Sequence, residues 1–247
     1  MREMLGKKVG IVSCVWLILA LMVTIGCQSQ YTYEPDERVV LTHIHKLVVV
    51  GFDAALSQGE QPDVVRDPIS GTVFMAEPVP KDAVQRMSNS LFDIVAAEKG
   101  YEVIPPGYAR RVFSSIISSQ RSTGLSSIKV LQEVGKSFAA DAVLVGSIYR
   151  WREREGTDYA VNRPASVAFN LHLISTAEAR ILWKAKFDKT QQSLSENILD
   201  LATFRESGGR WITAEKLGIL GLQKSLALLP ARRGPHVLED VDEQRGP

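Results

Sequence analysis

Apolar and polar positions along the chain follow two different periods, and the clearest change of period lies in residues 141–155. The first half of this stretch contains AVLV, a continuous apolar run that is typical of a strand covered on both faces. The second half alternates, with aromatic side chains on one side and Arg side chains on the other: Tyr149 and Trp151 against Arg150, Arg152 and Arg154. The pattern predicts a central strand that leaves a buried core for a half-exposed position.

Patterns before and after this strand predict the remaining elements. Short runs rich in β-branched and aromatic residues predict strands at 45–52, 101–104, 166–176 and 181–189. Apolar residues repeated every three or four positions predict helices at 82–100, 108–119, 126–140, 193–204 and 213–229. Residues 53–81 are rich in Pro, Gly, Asp and Gln and lack a period, so we expect a long loop that is either functional or mobile.

The order of these elements predicts the fold class. Strand, helix, strand, helices, strand and hairpin form an α/β pattern with a small mixed sheet and flanking helices, followed by two C-terminal helices. A single domain is expected over residues 39–230, because a chain of 247 residues with 45% hydrophobic content can bury one core. Residues 231–247 are charged and poor in apolar side chains, which predicts a disordered tail.

The N-terminus has the pattern of an export signal. A basic leader precedes an uncharged apolar run at residues 9–26, and Cys27 follows directly. Residues 1–26 therefore resemble a bacterial lipoprotein signal peptide, in which Cys27 is diacylated after cleavage and holds the protein at the membrane. The polar residues 27–38 are expected to form a tether.

An uncleaved anchor helix is the alternative, because the apolar run approaches the ~18–20 residues needed to cross a bilayer. The cysteine content favours the lipoprotein. The chain has two cysteines, Cys14 inside the apolar run and Cys27 at its end. Processing would leave no free thiol in the mature chain, which suits an oxidising compartment.

Charge and motif content argue against several classes of function. The chain has 29 Lys and Arg against 28 Asp and Glu, a formal net charge of +1, whereas a broad nucleic-acid surface needs clustered basic residues in excess. The sequence contains no G-x-S-x-G elbow, P-loop, G-x-G-x-x-G or H-E-x-x-H motif. We therefore expect no nucleic-acid partner, no cofactor and no enzymatic activity.

Isolated histidines and aspartates are weak candidates for a site. His43 and His45 would share one face of a strand, but a metal site needs a third convergent ligand, so solvated histidines are the simpler interpretation. His172 lies opposite the apolar face of its strand and is expected at the surface. Asp53 and Asp141 lie at strand ends and are interpreted as capping or turn residues.

The alternating end of the central strand is the candidate partner-binding site. It comprises Tyr149, Arg150, Trp151, Arg152 and Arg154, and aromatic and Arg side chains are the usual anchors of protein interfaces. The alternative is a solvated strand end whose charges pair across the neighbouring hairpin.

Four sequence runs resemble one known group of proteins. The runs are VVVGF, YEVIPP, FAADAVLVGSI and ILWKAKF, and with the elements between them they cover roughly residues 45–189. Their order is similar to that in the CsgG/LpoB/TolB-N-terminal group of bacterial envelope proteins. The resemblance implies an anticodon-binding-domain-like fold. In the lipoprotein pattern an Asp after the cysteine signals inner-membrane retention, so Gln28 implies anchoring in the outer membrane, facing the periplasm.

The resemblance also implies a non-enzymatic role in the envelope. LpoB-like members activate a peptidoglycan synthase, so we expect a lipid-anchored adaptor or activator that binds another envelope protein. The alternative is an oligomeric secretion component like CsgG, which needs two hairpins of lipid-facing strands of roughly 9–11 residues. Residues 166–176 alternate as such a strand would, but residues 149–155 carry too many charges. A hydrolase is the third class, and no motif supports it.

Overall fold

The computed structural model of the protein describes residues 44–98, 100–120, 126–157, 160–191 and 210–229. Several predictions lie outside the described residues: the signal peptide and tether at 1–38, the helix at 193–204 and the tail at 231–247. They stay predictions, as do the boundaries of the single domain.

Strands and helices follow one another along the described chain largely as the sequence predicts. The strands are β1 (Lys46–Ala54), β2 (Asp63–Arg66), β3 (Val73–Ala76), β4 (Glu102–Ile104), β5 (Ala142–Arg152), β6 (Glu155–Gly156), β7 (Val161–Arg163), β8 (Ser166–Ser175) and β9 (Ile181–Thr190). The helices are α1 (Lys81–Glu98), α2 (Pro106–Gln120), α3 (Ser127–Ser137) and α4 (Ala214–Ala227).

One mixed sheet of five strands, in the order β4-β1-β5-β8-β9, organises the fold. β1 is parallel to both β4 and β5, whereas β8 is antiparallel to β5 and to β9. The connections between parallel strands pass through α1, or through α2 and α3, because parallel pairing requires a crossover. The predicted α/β class with a small mixed sheet, flanking helices and a β8–β9 hairpin is confirmed. Of the two predicted C-terminal helices, α4 lies within the described residues.

The first face of the sheet packs against α1 and α4. Residues of each strand alternate between the two sides of the sheet, but register shifts between Val49 and Gly51 in β1 and between Ile148 and Arg150 in β5 move the alternation by one residue. The shift in β5 puts Trp151 on this face and Tyr149 on the other, so the prediction that the two rings share one side is wrong. The resulting core includes Leu47, Phe52, Leu144, Trp151, Phe169 and Phe187 from the strands and Met87, Leu91, Leu217 and Leu222 from the helices. The apolar stripe predicted for residues 82–100 is therefore buried against the sheet.

The second face of the sheet is covered in two parts. Helices α2 and α3 cover the parallel strands, and their core includes Val48, Val50, Leu131, Val134 and Val143. The hairpin formed by β2 and β3 covers β5 and β8 farther along, through Phe74, Ala76, Tyr149 and Ala168. Both faces of β8 are therefore covered, and all ten of its residues are buried.

The segment at residues 53–81 departs from the predicted structureless loop. Within it, β2 and β3 pair antiparallel, from Asp63 opposite Ala76 to Arg66 opposite Val73. Each strand has four residues, and the buried positions alternate clearly in β3 only. A period of two over so short a run does not stand out among the surrounding Pro and Gly residues, which is why the prediction of a loop is wrong here.

Smaller departures occur at the ends of elements. The helix predicted at 126–140 ends at Ser137, because Ala139 adopts a left-handed φ of 48° and the N–H of Ala140 donates to the carbonyl oxygen of Gly135 at 3.0 Å. The short strands β6 and β7 pair antiparallel between β5 and β8 in the chain and are not among the predicted elements. Among the described helices, none combines the length and the apolar content needed to cross a bilayer.

Candidate protein-binding surface

The structure buries both aromatic residues of the predicted partner-binding site. Tyr149 is 1% exposed and Trp151 is 5% exposed. Trp151 belongs to the core on the first face, and its Nε1 donates to Glu153 Oε1 at 3.1 Å. Glu153 Oε2 in turn accepts the N–H of Ala214 at 3.0 Å, which fixes the start of α4. The prediction that these two rings form exposed anchors is wrong, because both sides of β5 are covered at this end.

The three arginines of the predicted site have partners within the chain. Arg150 donates to Ser166 Oγ at 2.7 Å and forms an ion pair with Asp188 on β9. Arg152 Nε donates to Glu77 Oε2 at 3.1 Å. Arg154 Nη1 donates to the carbonyl oxygen of Trp211 at 2.8 Å. The ion pair of Arg150 with Asp188 crosses to the β8–β9 hairpin, as the alternative of paired charges expects, whereas Arg152 and Arg154 contact residues outside that hairpin. A role of the arginines in binding a partner stays a prediction.

Tyr149 anchors the β2–β3 hairpin to the sheet. Its ring stacks on Phe74 of β3, with ring centroids 3.8 Å apart and an angle of 5° between the planes. The backbone supports the same contact, since the N–H of Glu77 donates to the carbonyl oxygen of Tyr149 at 2.7 Å. The ion pair of Arg152 with Glu77 joins the end of β5 to the residue that follows β3. The hairpin is therefore fixed to β5 by an aromatic stack, a backbone hydrogen bond and an ion pair.

Asp67, in the hairpin turn, joins this anchor to β8. Asp67 is 1% exposed, and its Oδ1 accepts from the Tyr149 hydroxyl at 3.0 Å. Its Oδ2 accepts the N–H of Ser70 at 2.6 Å and lies 3.4 Å from His172 Nε2. Asn170 Nδ2 donates to the Tyr149 hydroxyl at 3.1 Å. The sequence prediction that His172 lies at the surface is wrong, because the hairpin covers it and leaves it 2% exposed.

Burial and hydrogen bonding set the charges in the cluster formed by Asp67, Tyr149, Asn170 and His172. Burial raises the pKa of Asp67, but hydrogen bonds from Ser70 and the proximity of His172 bring the net pKa below its usual value. Burial lowers the pKa of His172 from 6.5 to about 4, against the opposing effect of Asp67. Burial, and then the charge of Asp67, raise the pKa of Tyr149. At neutral pH the cluster holds one buried carboxylate whose oxygens are used to fix the turn.

The other side of the hairpin is exposed and apolar. We define the hairpin's outer face as Val64, Arg66, Val73 and Met75, the residues that alternate with the buried ones. Val64 is 57% exposed, Val73 47% and Met75 56%, and Val64 lies directly opposite Met75. Met and Arg are enriched in protein interfaces, and adjacent exposed apolar side chains are typical of contact surfaces. A fixed inner side and an apolar outer side make this hairpin the candidate binding element.

The remaining candidate residues lie away from the hairpin. Asp141 Oδ2 accepts the N–H groups of His45 and Lys46 at 2.8 and 2.9 Å, a capping role of the predicted kind. Asp53 lies 4.0 Å from Arg110 Nη2. His45 is exposed, and His43 lies outside the described residues. Within the described ranges no group of three His, Cys, Asp or Glu side chains is placed to hold a metal ion.

Neither a family model nor the sequence of a curated protein matches the chain. Solved structures do match. The PelC dodecamer from Paraburkholderia phytofirmans has 15% identity and a TM-score of 0.47, over 82% of this chain and 100% of that chain. The lipoprotein GNA1162 from Neisseria meningitidis has 16% identity and a TM-score of 0.35, over 66% and 92%. The LpoB C-terminal domain from Escherichia coli has 12% identity and a TM-score of 0.34, over 63% and 90%.

LpoB structures are thus among the solved structures that this chain is similar to, as the resemblance in its sequence predicts.

Proposed function

We propose that the chain is a lipoprotein of the outer membrane that faces the periplasm and acts as a non-enzymatic adaptor or activator. It binds another protein of the cell envelope through the hairpin's outer face. The observation that carries the proposal is an exposed apolar surface on a hairpin whose inner side is fixed to the sheet. The lipid anchor rests on Cys27 and the apolar run before it, and the sequence resemblance to the CsgG/LpoB/TolB-N-terminal group supports a role in the envelope.

The hairpin is a better candidate binding element than the end of β5 that the sequence predicts. The rings of Tyr149 and Trp151 are buried, so they have no surface to offer a partner. On the hairpin, by contrast, Val64, Val73 and Met75 are exposed on a single side. Because the hairpin is already held in place, a partner would not have to order it on binding, and the entropic cost of association would be smaller.

In-cell photocrosslinking from position 75 tests the proposal. A photoreactive amino acid replaces Met75 in the full-length chain, and crosslinked products are identified by mass spectrometry. We expect one discrete product that contains a different envelope protein. The matched control carries the probe at Lys216, an exposed residue of α4 on the opposite face of the sheet, and should not give this product.

A second variant asks whether the product depends on the apolar surface. Val64→Asp places a charge directly opposite position 75, and its exposure means that the fold should tolerate the change. The crosslink from position 75 should then be lost. A product that survives Val64→Asp, or that forms equally from Lys216, would contradict binding by the outer face. Self-crosslinked species in place of a second protein would instead support the oligomeric secretion component.

A further inference from the structure

A small cavity of about 190 Å³ lies between the turn of the hairpin and the antiparallel strands β8 and β9. Six of its lining residues are polar or charged: Ser70 and Thr72 from the turn, Asn170 and His172 from β8, and Lys184 and Lys186 from β9. The strand register places Asn170 opposite Lys186 and His172 opposite Lys184. The cavity floor is therefore a block of four side chains on the sheet, and the turn forms a wall beside it.

The lining of this cavity is positively charged at neutral pH. Lys184 and Lys186 contribute two ammonium groups, and no acidic side chain of the described residues lines the cavity. Asp67 lies beside the lining residues Ser70 and His172, but it is 1% exposed and its oxygens accept hydrogen bonds from Ser70 and Tyr149. His172 is neutral at this pH, because burial lowers its pKa to about 4.

We propose that the cavity binds a small oxyanion, a phosphate or carboxylate group, through Lys184 and Lys186. Lysine ammonium groups act as compact point charges toward such anions, and hydrogen bonds to a charged group are stronger than neutral ones. The Lys186 ammonium group also lies 4.7 Å from the centre of the Phe74 ring, so the hairpin holds it beside the cavity.

The size of the cavity limits the ligand to a few non-hydrogen atoms. Pockets for drug-sized ligands measure roughly 300–1,000 Å³, which is larger than this cavity. Ser70, Thr72 and Asn170 supply hydroxyl and amide groups that can orient an oxyanion. The site uses the inner side of the hairpin and the sheet, so it does not depend on the adaptor role of the outer face.

Isothermal titration calorimetry on the full-length chain in detergent tests this site. Sodium phosphate and sodium succinate are titrated separately, with sodium chloride holding the ionic strength constant. We expect at least one of the two ions to bind with a stoichiometry of one. The double variant Lys184→Gln/Lys186→Gln should bind that ion at least tenfold more weakly. The matched control Lys216→Gln, which removes an exposed lysine on the opposite face, should bind it as the wild type does.

Nuclear magnetic resonance of the wild-type chain supplies a test that needs no variant. The side-chain amide signals of Asn170 should shift during the same titration, because this amide lines the cavity. The proposal is overturned if neither ion binds the wild type beyond the chloride baseline, or if the double variant keeps full affinity. Binding that leaves the Asn170 signals unmoved would also overturn it, since the ion would then occupy another place.

Discussion

At the scale of single residues, Tyr149 shows why the alternating end of β5 has the sequence pattern of an exposed surface and yet is buried in the fold. Aromatic side chains alternating with Arg are found both at interfaces and at strands covered by another element. A buried Tyr needs a partner for its hydroxyl, and here the partners are Asp67 and Asn170. Asp67 lies 82 positions earlier in the chain, so no local pattern could reveal this partner.

We predict that His172→Gln makes stability less dependent on pH. The unfolded chain binds a proton at His172 with a pKa near 6.5, whereas the folded chain does so near 4. Between these values only the unfolded state gains the proton, so the wild type loses stability as the pH falls from 6.5 toward 4. The shift corresponds to about 3 kcal/mol at most.

Urea unfolding at pH 7.5 and pH 4.5 measures this difference. The free energy of unfolding should fall more in the wild type than in His172→Gln, because Gln does not titrate. Equal decreases in the two proteins would show that His172 is not the residue responsible.

At the scale of elements, the sequence predicts the sheet strands well and the hairpin poorly. Strands β5, β8 and β9 each have at least ten residues and a strong apolar pattern, so their positions follow from the sequence. β2 and β3 have four residues each and bury their inner side through contacts with β5. Because the burial of the hairpin depends on residues such as Tyr149, its inner and outer sides can be told apart only in the folded chain.

We predict that Phe74→Ala releases the hairpin from the sheet. Truncating a buried Phe costs about 3–5 kcal/mol, and the stack on Tyr149 is lost with it. Hydrogen exchange of residues 63–76 should then become faster by roughly a hundredfold or more, as expected when a local unit opens more easily. Residues 166–175 should stay protected, because the five-stranded sheet does not need the hairpin for its pairing.

Met75→Ala is the matched control for this experiment. Met75 follows Phe74 in the same strand, but its side chain points outward and is 56% exposed. Its exchange should match that of the wild type. If Phe74→Ala exposed the whole sheet to exchange equally, the hairpin would be part of the main cooperative unit.

At the scale of the whole molecule, the helices and the hairpin cover different parts of the same sheet. Helices α1 and α4 cover the first face, and α2 and α3 cover the parallel half of the second. The hairpin covers the β5–β8 region that these helices leave, and it adds the exposed outer face on its far side. The hairpin therefore has two sides with different roles: its inner side covers the sheet, and its outer side carries the proposed binding surface.

We predict that Cys27→Ser releases the protein from the membrane fraction. Lipidation requires the thiol of Cys27, so its loss removes the anchor if the signal is that of a lipoprotein. Cell fractionation followed by immunoblotting measures the distribution. Cys14→Ser is the matched control, because it changes a cysteine within the signal and should leave the protein membrane-bound. A Cys27→Ser protein that remains in the membrane with its leader intact would support an uncleaved anchor helix instead.

The alternation of residues in β3 has a consequence for redesign and for divergence between related chains. Val73 and Met75 point outward while Phe74 and Ala76 point to the sheet, so the two sets of positions can be changed independently. The outward residues could be replaced without altering the residues that pack the hairpin on the sheet. The binding preference of the proposed surface could therefore diverge at a few outward positions while the residues that pack on the sheet stay constant.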